Sequence, residues 1–207
     1  MNKLSLQTFY TKTQTYTDGQ VSAAAQTMDI IVLSDFSDTT MLKRFQGVTN
    51  RKAKLLVYKD IRVTKTTDTD HAYVRDLWGI LGANGKHIID NKYTNHILCN
   101  VTKESYQDYV AYYIAGRVRI GYDGVFLDEC FMEVSEQKYS QPIPQTIIDW
   151  WDLGILNIAR KTKGLLGDKY VVPNCSNIKT NLGLARYSDA LFNEEGYINT
   201  VGTAWGT

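Results

Sequence analysis

The chain has 207 residues, 43% of them hydrophobic and 22% charged, which excludes disorder as its general state and leaves room for one large domain or two small ones at about 150 residues each. With 23 Lys and Arg against 22 Asp and Glu, the net charge is +1, so no bulk field draws the chain to nucleic acid or an anionic membrane surface, and a ligand must be recognised locally. No run approaches the ~20 apolar residues of a membrane span, and the opening residues, MNKLSLQTFYTKTQTYTDGQ, lack the apolar stretch of a secretion signal.

In chain order, residues 4–10 read as a strand, 17–27 as a helix, 28–34 (MDIIVLS) as a strand, 39–47 as a helix and 53–61 (AKLLVYKDI) as a strand. Residues 62–100 break this rhythm with a long, polar, turn-rich connection, which in a compact domain is usually functional. A helix over 103–119 follows, with Tyr106, Val110, Tyr113, Ile114 and Val118 on one side and Gly121 where it stops. Then come a strand at 124–128 (GVFLD), a helix over 144–164 and strands at 169–174 (KYVVPN) and 190–193 (ALFN). In the 144–164 helix, Trp151, Ile155 and Ile158 build an apolar face, with Trp150 also read as core. The runs IIVL, LLVY and GVFL are continuous rather than alternating, as strands covered on both faces of a parallel sheet require. Strand and helix alternate, so an α/β fold with parallel strands is the economical solution.

Active sites of parallel α/β folds lie at the carboxyl ends of the strands. Three strand ends carry polar groups: GYDGVFLDE with Asp128 and Glu129, KYVVPNCSN with Asn174, and SDALFNEEGY with Glu194 and Glu195. A pair of strand-end carboxylates is what glycoside hydrolysis uses, one protonating the leaving oxygen while the other attacks or activates water. A strand-end acid more commonly caps the next helix or holds a loop, and that reading stands beside the catalytic one. Adjacent strand residues point to opposite faces, so Asp128 and Glu129 share one side only if the backbone turns between them. At the third strand end, Tyr58, Lys59 and Asp60 are candidates to contact a sugar hydroxyl or orient Asp128, with a solvated strand end equally open. Trp78 offers a flat ring for stacking on a pyranose, and Asn174 a hydrogen bond to substrate or to a carboxylate. The aromatic content, 14 Tyr and 4 Trp against 3 Pro, suits carbohydrate sites and ordinary cores alike.

The segment GYDGVFLDE resembles the fourth-strand motif of (β/α)₈ glycosidase-like families that include the endo-α-1,4-polygalactosaminidases and the spherulin-like hydrolases. MDIIVLS is similar to their second strand, AKLLVYKDI to the third, LWGILGANGKHI to the stretch before the fourth helix, and SDALFNEEGY to the sixth strand. The resemblance implies a single (β/α)₈ TIM-barrel type domain and a glycoside hydrolase acting on a polysaccharide, galactosamine-containing polymers included. It makes Asp128 the nucleophile or principal carboxylate, Glu194 the general acid/base, and Glu129 a tandem acid sharing the work. It also favours a secreted or cell-surface location.

Two other function classes compete. The run DTDH, Asp68 to His71, could bind a metal for a polysaccharide deacetylase, although its spacing matches no short metal motif. A barrel of this type could also bind glycans without cleaving them. No cofactor is expected: the glycine patterns GxGxxG and GxxxxGK[ST] are absent. Cys99, Cys130 and Cys175 are widely spaced and odd in number, which reads as buried thiols. A complete barrel of this type typically takes ~250 residues, so about six strands are expected here, with a truncated barrel that looks to the missing C-terminal part of a longer chain for completion.

Overall fold

The computed structural model describes residues 6–9, 15–33, 39–130, 138–175 and 183–192. Strand β1 (Leu6–Phe9) leads to α1 (Asp18–Thr27), β2 (Ile30–Leu33), α2 (Thr40–Gln46) and β3 (Lys54–Asp60). An excursion follows, made of β4 (Val63–Lys65), α3 (His71–Trp78) and β5 (His96–Leu98). The alternation then resumes with α4 (Glu104–Val118), β6 (Gly124–Asp128), α5 (Gln145–Ile148), α6 (Trp151–Leu166) and β7 (Tyr170–Pro173).

Strands β1, β2, β3, β6 and β7 form one sheet in that spatial order, every pairing parallel. Each sheet strand lies beside the next in sequence, with a helix between them, which is the single winding expected from the strand-helix rhythm. The register continues beyond β7 through a parallel bridge between Asn174 and Phe192, where a sixth strand is expected at residues 190–193. Both faces are buried, as the continuous apolar runs require. On one face Ile31, Leu33, Leu55, Val57, Val125, Leu127 and Val171 pack under the helices with Phe45, Val110, Ile114, Trp151 and Ile155. On the other, Ile30, Val32, Leu56, Phe126 and Val172 gather with Tyr58 and Phe192.

Local chemistry explains the element ends. Helix α1 opens on a capping box in which the Thr17 hydroxyl accepts from Gln20 N–H and the Gln20 amide oxygen accepts from Thr17 N–H. Gly121, past the end of α4, takes φ +127°, a region open to glycine.

The helix expected over 144–164 is divided. Trp150 stands between α5 and α6 with φ −112° and ψ 4°, and its carbonyl accepts from Gly154 N–H to begin the second helix. That non-helical backbone takes the Trp150 ring off the buried stripe that Trp151 begins. Trp151 is buried at 1% exposure, whereas Trp150 is 60% exposed and is not core. Residues 62–100 are ordered by β4 and β5, which pair antiparallel, by α3, and by bridges that include Gly79 to Cys99 and Ile89 to Ile97. Cys99, Cys130 and Cys175 are buried free thiols. Among the described residues, no helix is long and apolar enough to cross a membrane.

Candidate active site

Parallel register places the strand-end polar residues in one layer. Asp60 of β3 is aligned with Asp128 of β6, and Leu127 with Pro173, which sets Asp128 beside Asn174. Tyr58 and Phe126, aligned one layer below, have ring centroids 6.4 Å apart. In-register residues of a parallel sheet point the same way, so Tyr58, Asp60, Asp128 and Asn174 come together at the carboxyl edge.

Asp128 is half-buried and accepts three hydrogen bonds. The Tyr58 hydroxyl donates to Oδ2 at 2.6 Å, the Asn174 amide nitrogen to Oδ1 at 2.8 Å, and the Glu129 N–H to Oδ1 at 2.9 Å. Three donors on its two oxygens fix the direction of the carboxylate. Burial, reinforced by Asp60 and Asp128, pushes the Tyr58 phenol far above its ordinary range, so the phenol remains a donor. Lys65 Nζ lies 5.3 Å from the centre of the Tyr58 ring. Asp60 is buried at 6% exposure and accepts the Arg62 N–H at 3.0 Å. Burial raises its carboxyl above the usual range, against the opposing pull of Arg62 and Lys65.

The backbone does turn between the two tandem acids. Glu129 has φ +60°, a left-handed conformation uncommon for a residue with a side chain. The turn carries its carboxylate to Arg62, with Oε2 lying 2.6 Å from Nη2. Burial pushes the Glu129 carboxyl up to about 7, while Arg62 pulls it down and Asp60 pushes it up. The site therefore combines Asp128, anchored by three donors, with Glu129, whose carboxyl burial pushes up to about 7.

Of the residues expected from sequence, Asp128, Glu129, Tyr58, Asp60 and Asn174 converge here. Lys59 does not. It lies on the opposite face of β3 from its neighbours, with Nζ 5.1 Å from the centre of the Tyr113 ring on α4, because strand alternation reverses at each step. Trp78 is corrected from a stacking platform to a core residue. It is 7% exposed, its Nε1–H donates to Ser105 Oγ at 2.9 Å, and its ring packs against Tyr73, Tyr106 and Tyr109. Glu194 lies outside the described residues. Arg62, 2% exposed, was not anticipated; its signal in the sequence was a charged residue between apolar Ile61 and Val63.

The DTDH run does not assemble a metal donor set. Asp68 Oδ2 accepts from Lys65 N–H, the Asp70 carboxylate from the Tyr109 hydroxyl, and His71 Nδ1 lies 3.3 Å from Thr64 Oγ1. Among the described residues, no group of three or more His, Cys, Asp or Glu side chains converges as metal ligands would.

No protein-family model matches the chain, and no curated protein matches it in sequence. Solved structures share its fold. TtGalA, an α-galactosidase from Thermus thermophilus seen with p-nitrophenyl α-D-galactopyranoside, is similar at TM-score 0.61 and 12% identity over 91% of this chain and 40% of that one. The glycoside hydrolase domain of PelA from Pseudomonas aeruginosa aligns at TM-score 0.63 and 13% identity, covering 98% of this chain and 73% of that one. Ega3 from Aspergillus fumigatus, seen with galactosamine, aligns at TM-score 0.54 and 11% identity over 82% and 61% of the two chains. The chain thus spans less than half the length of TtGalA. At such identities the likeness is one of fold: a parallel α/β architecture shared with glycoside hydrolases.

Proposed function

We propose that the chain is a glycoside hydrolase acting on a polysaccharide, with Asp128 as nucleophile or principal carboxylate and Glu194 as general acid/base. The observation that carries the reading is Asp128 at the carboxyl end of β6, held by the Tyr58 hydroxyl at 2.6 Å and the Asn174 amide at 2.8 Å. Attack at an anomeric carbon, or stabilisation of the positive charge developing there, needs an aimed carboxylate, and these two donors supply the aim. Glu194 stands two residues after Phe192, whose ring packs edge-on against Phe126 with centroids 5.6 Å apart. Glu194 is assigned as the partner that protonates the leaving oxygen because SDALFNEEGY resembles the acidic end of the sixth strand of the glycosidase-like families. Glu129, turned to the same edge, shares the proton handling.

A galactosamine-containing polymer is the substrate class this reading favours. Among the glycoside hydrolases that share the fold, Ega3 is seen with galactosamine. Release of reducing ends from α-1,4-linked galactosaminoglycan and from neutral polysaccharides tests the proposal. Asp128→Asn and Glu194→Gln are each expected to lower the rate on the order of 10²- to 10⁴-fold. Unchanged hydrolysis in both variants overturns the assignment.

A further inference from the structure

Arg62 stands where four parts of the chain meet. It follows β3 by two residues and is 2% exposed. Its N–H donates to Asp60 Oδ1 at 3.0 Å and its carbonyl accepts from Cys99 N–H at 2.8 Å, so its backbone is held from both sides. Its Nη1 donates to the Tyr139 hydroxyl at 2.9 Å, and its Nη2 lies 2.6 Å from Glu129 Oε2. Tyr139 belongs to a segment after β6 that is stitched onto the excursion between β3 and α4. Ser140 N–H donates to Ile89 O at 2.9 Å, Asn91 N–H to Lys138 O at 2.8 Å, and Asp90 bridges Tyr139.

A guanidinium is a rigid planar group, so fixing Nη1 on Tyr139 limits where the charge that pairs with Glu129 can sit. Glu129 needs such a partner. Its left-handed backbone, φ +60°, is a conformation that surrounding contacts must hold in a residue with a side chain. We propose that Arg62 is a positioning residue that holds the Glu129 carboxylate toward the carboxyl edge of the sheet, and that Tyr139 ties this orientation to the docking of residues 138–141 on the excursion. The catalytic meaning of this role rests on the hydrolase reading; its geometry does not.

The role has a readout that needs no substrate. Arg62 and Lys138 favour the Glu129 anion, Asp60 and Asp128 oppose it, and Lys92 and Tyr58 also interact with it. Removing the guanidinium leaves burial and two carboxylates without their main counterweight, so the Glu129 midpoint must rise. Selective ¹³C labelling of glutamate carboxyls, assigned with Glu129→Gln, follows that midpoint by NMR. It is expected near 7 in the wild type and about one pH unit or more higher in Arg62→Met. Arg62→Lys, which restores the charge, is expected to bring it back toward the wild-type value. Arg62→Gln, which keeps a donor for Tyr139 and removes the charge, carries the same expectation as Arg62→Met should that variant fail to fold.

In the hydrolysis assay, Tyr139→Phe and Arg62→Lys are expected to lower kcat while leaving KM within about twofold, since the orientation is needed in the transition state. A Glu129 midpoint unmoved in a folded neutral variant overturns the positioning role. A shifted midpoint in a protein that hydrolyses no glycan would instead sink the hydrolase reading and leave the positioning role standing.

Discussion

Asp128 is surrounded by donors rather than by bare apolar surface, and the direction of its carboxylate depends on them. The Tyr58 hydroxyl makes the 2.6 Å contact, the shortest of the three. Tyr58→Phe keeps the ring and its stacking on Phe126 and deletes one charged hydrogen bond, worth about 1.5–3 kcal/mol. A fall in kcat of roughly 10- to 100-fold is expected from that loss, with Tm lowered by roughly 3–12 °C, and a kcat within experimental error of wild type would remove Tyr58 from the mechanism. Asp128 itself was legible in the sequence, because the apolar run GVFL ends on it and strand ends are where parallel folds place chemistry. The position of Glu129 was not, because it depends on a left-handed backbone angle that no residue type in GVFLDE signals. Lys59 was misplaced for a simpler reason. Alternation along β3 turns Tyr58 and Asp60 to one face and sends the residue between them to the helices.

Among the elements, the strands were the clearest in the sequence, since runs such as IIVL and GVFL are short, uniformly apolar and spaced by helical stretches, as strands of a sheet buried on both faces are. Helix limits were less clear where packing decides them, as at Trp150. Helix α6 illustrates how close that packing is. A Cβ on Gly154 would lie 2.5 Å from the Val101 carbonyl oxygen and 2.8 Å from its carbon, both backbone atoms that cannot swing aside. Gly154→Ala therefore forces α6 away from the turn before α4, and the expected net loss is about 1–3 kcal/mol despite the better helix propensity of alanine. Gly116 in α4 and Gly164 in α6 have nothing within 4 Å of a built Cβ. Gly116→Ala and Gly164→Ala should each stabilise by up to about 1 kcal/mol. Denaturant midpoints of the three variants decide the matter, and a stabilised Gly154→Ala would show that the helix is free to shift.

For the molecule as a whole, the excursion between β3 and α4 was recognisable as a break in rhythm, but its partnership with residues 138–141 was not, because those contacts join positions some fifty residues apart, mostly through backbone groups that every sequence possesses. This assembly buries Glu129 and Asp60, and burial has a consequence for global stability. The Glu129 carboxyl is raised from 4.5 to about 7, so the native chain holds that proton to higher pH than the unfolded chain does. Where the native state binds more protons, stability falls as pH rises. The contribution is fully present below about 4.5, is lost as pH climbs to about 7, and is flat beyond. Its upper size is about 3 kcal/mol, from ~1.4 kcal/mol for each pH unit between the two states. For a protein of this length that corresponds to roughly 6–12 °C in Tm. Asp60, raised for the same reason, adds a slope of the same sign. Glu129→Gln cannot titrate, so its Tm should decline less steeply than the wild type's between pH 4.5 and 7, with the two profiles running parallel at higher pH. Scanning calorimetry across that range is the measurement, and identical slopes in the two proteins would mean that Glu129 is exposed enough to titrate as an ordinary carboxylate.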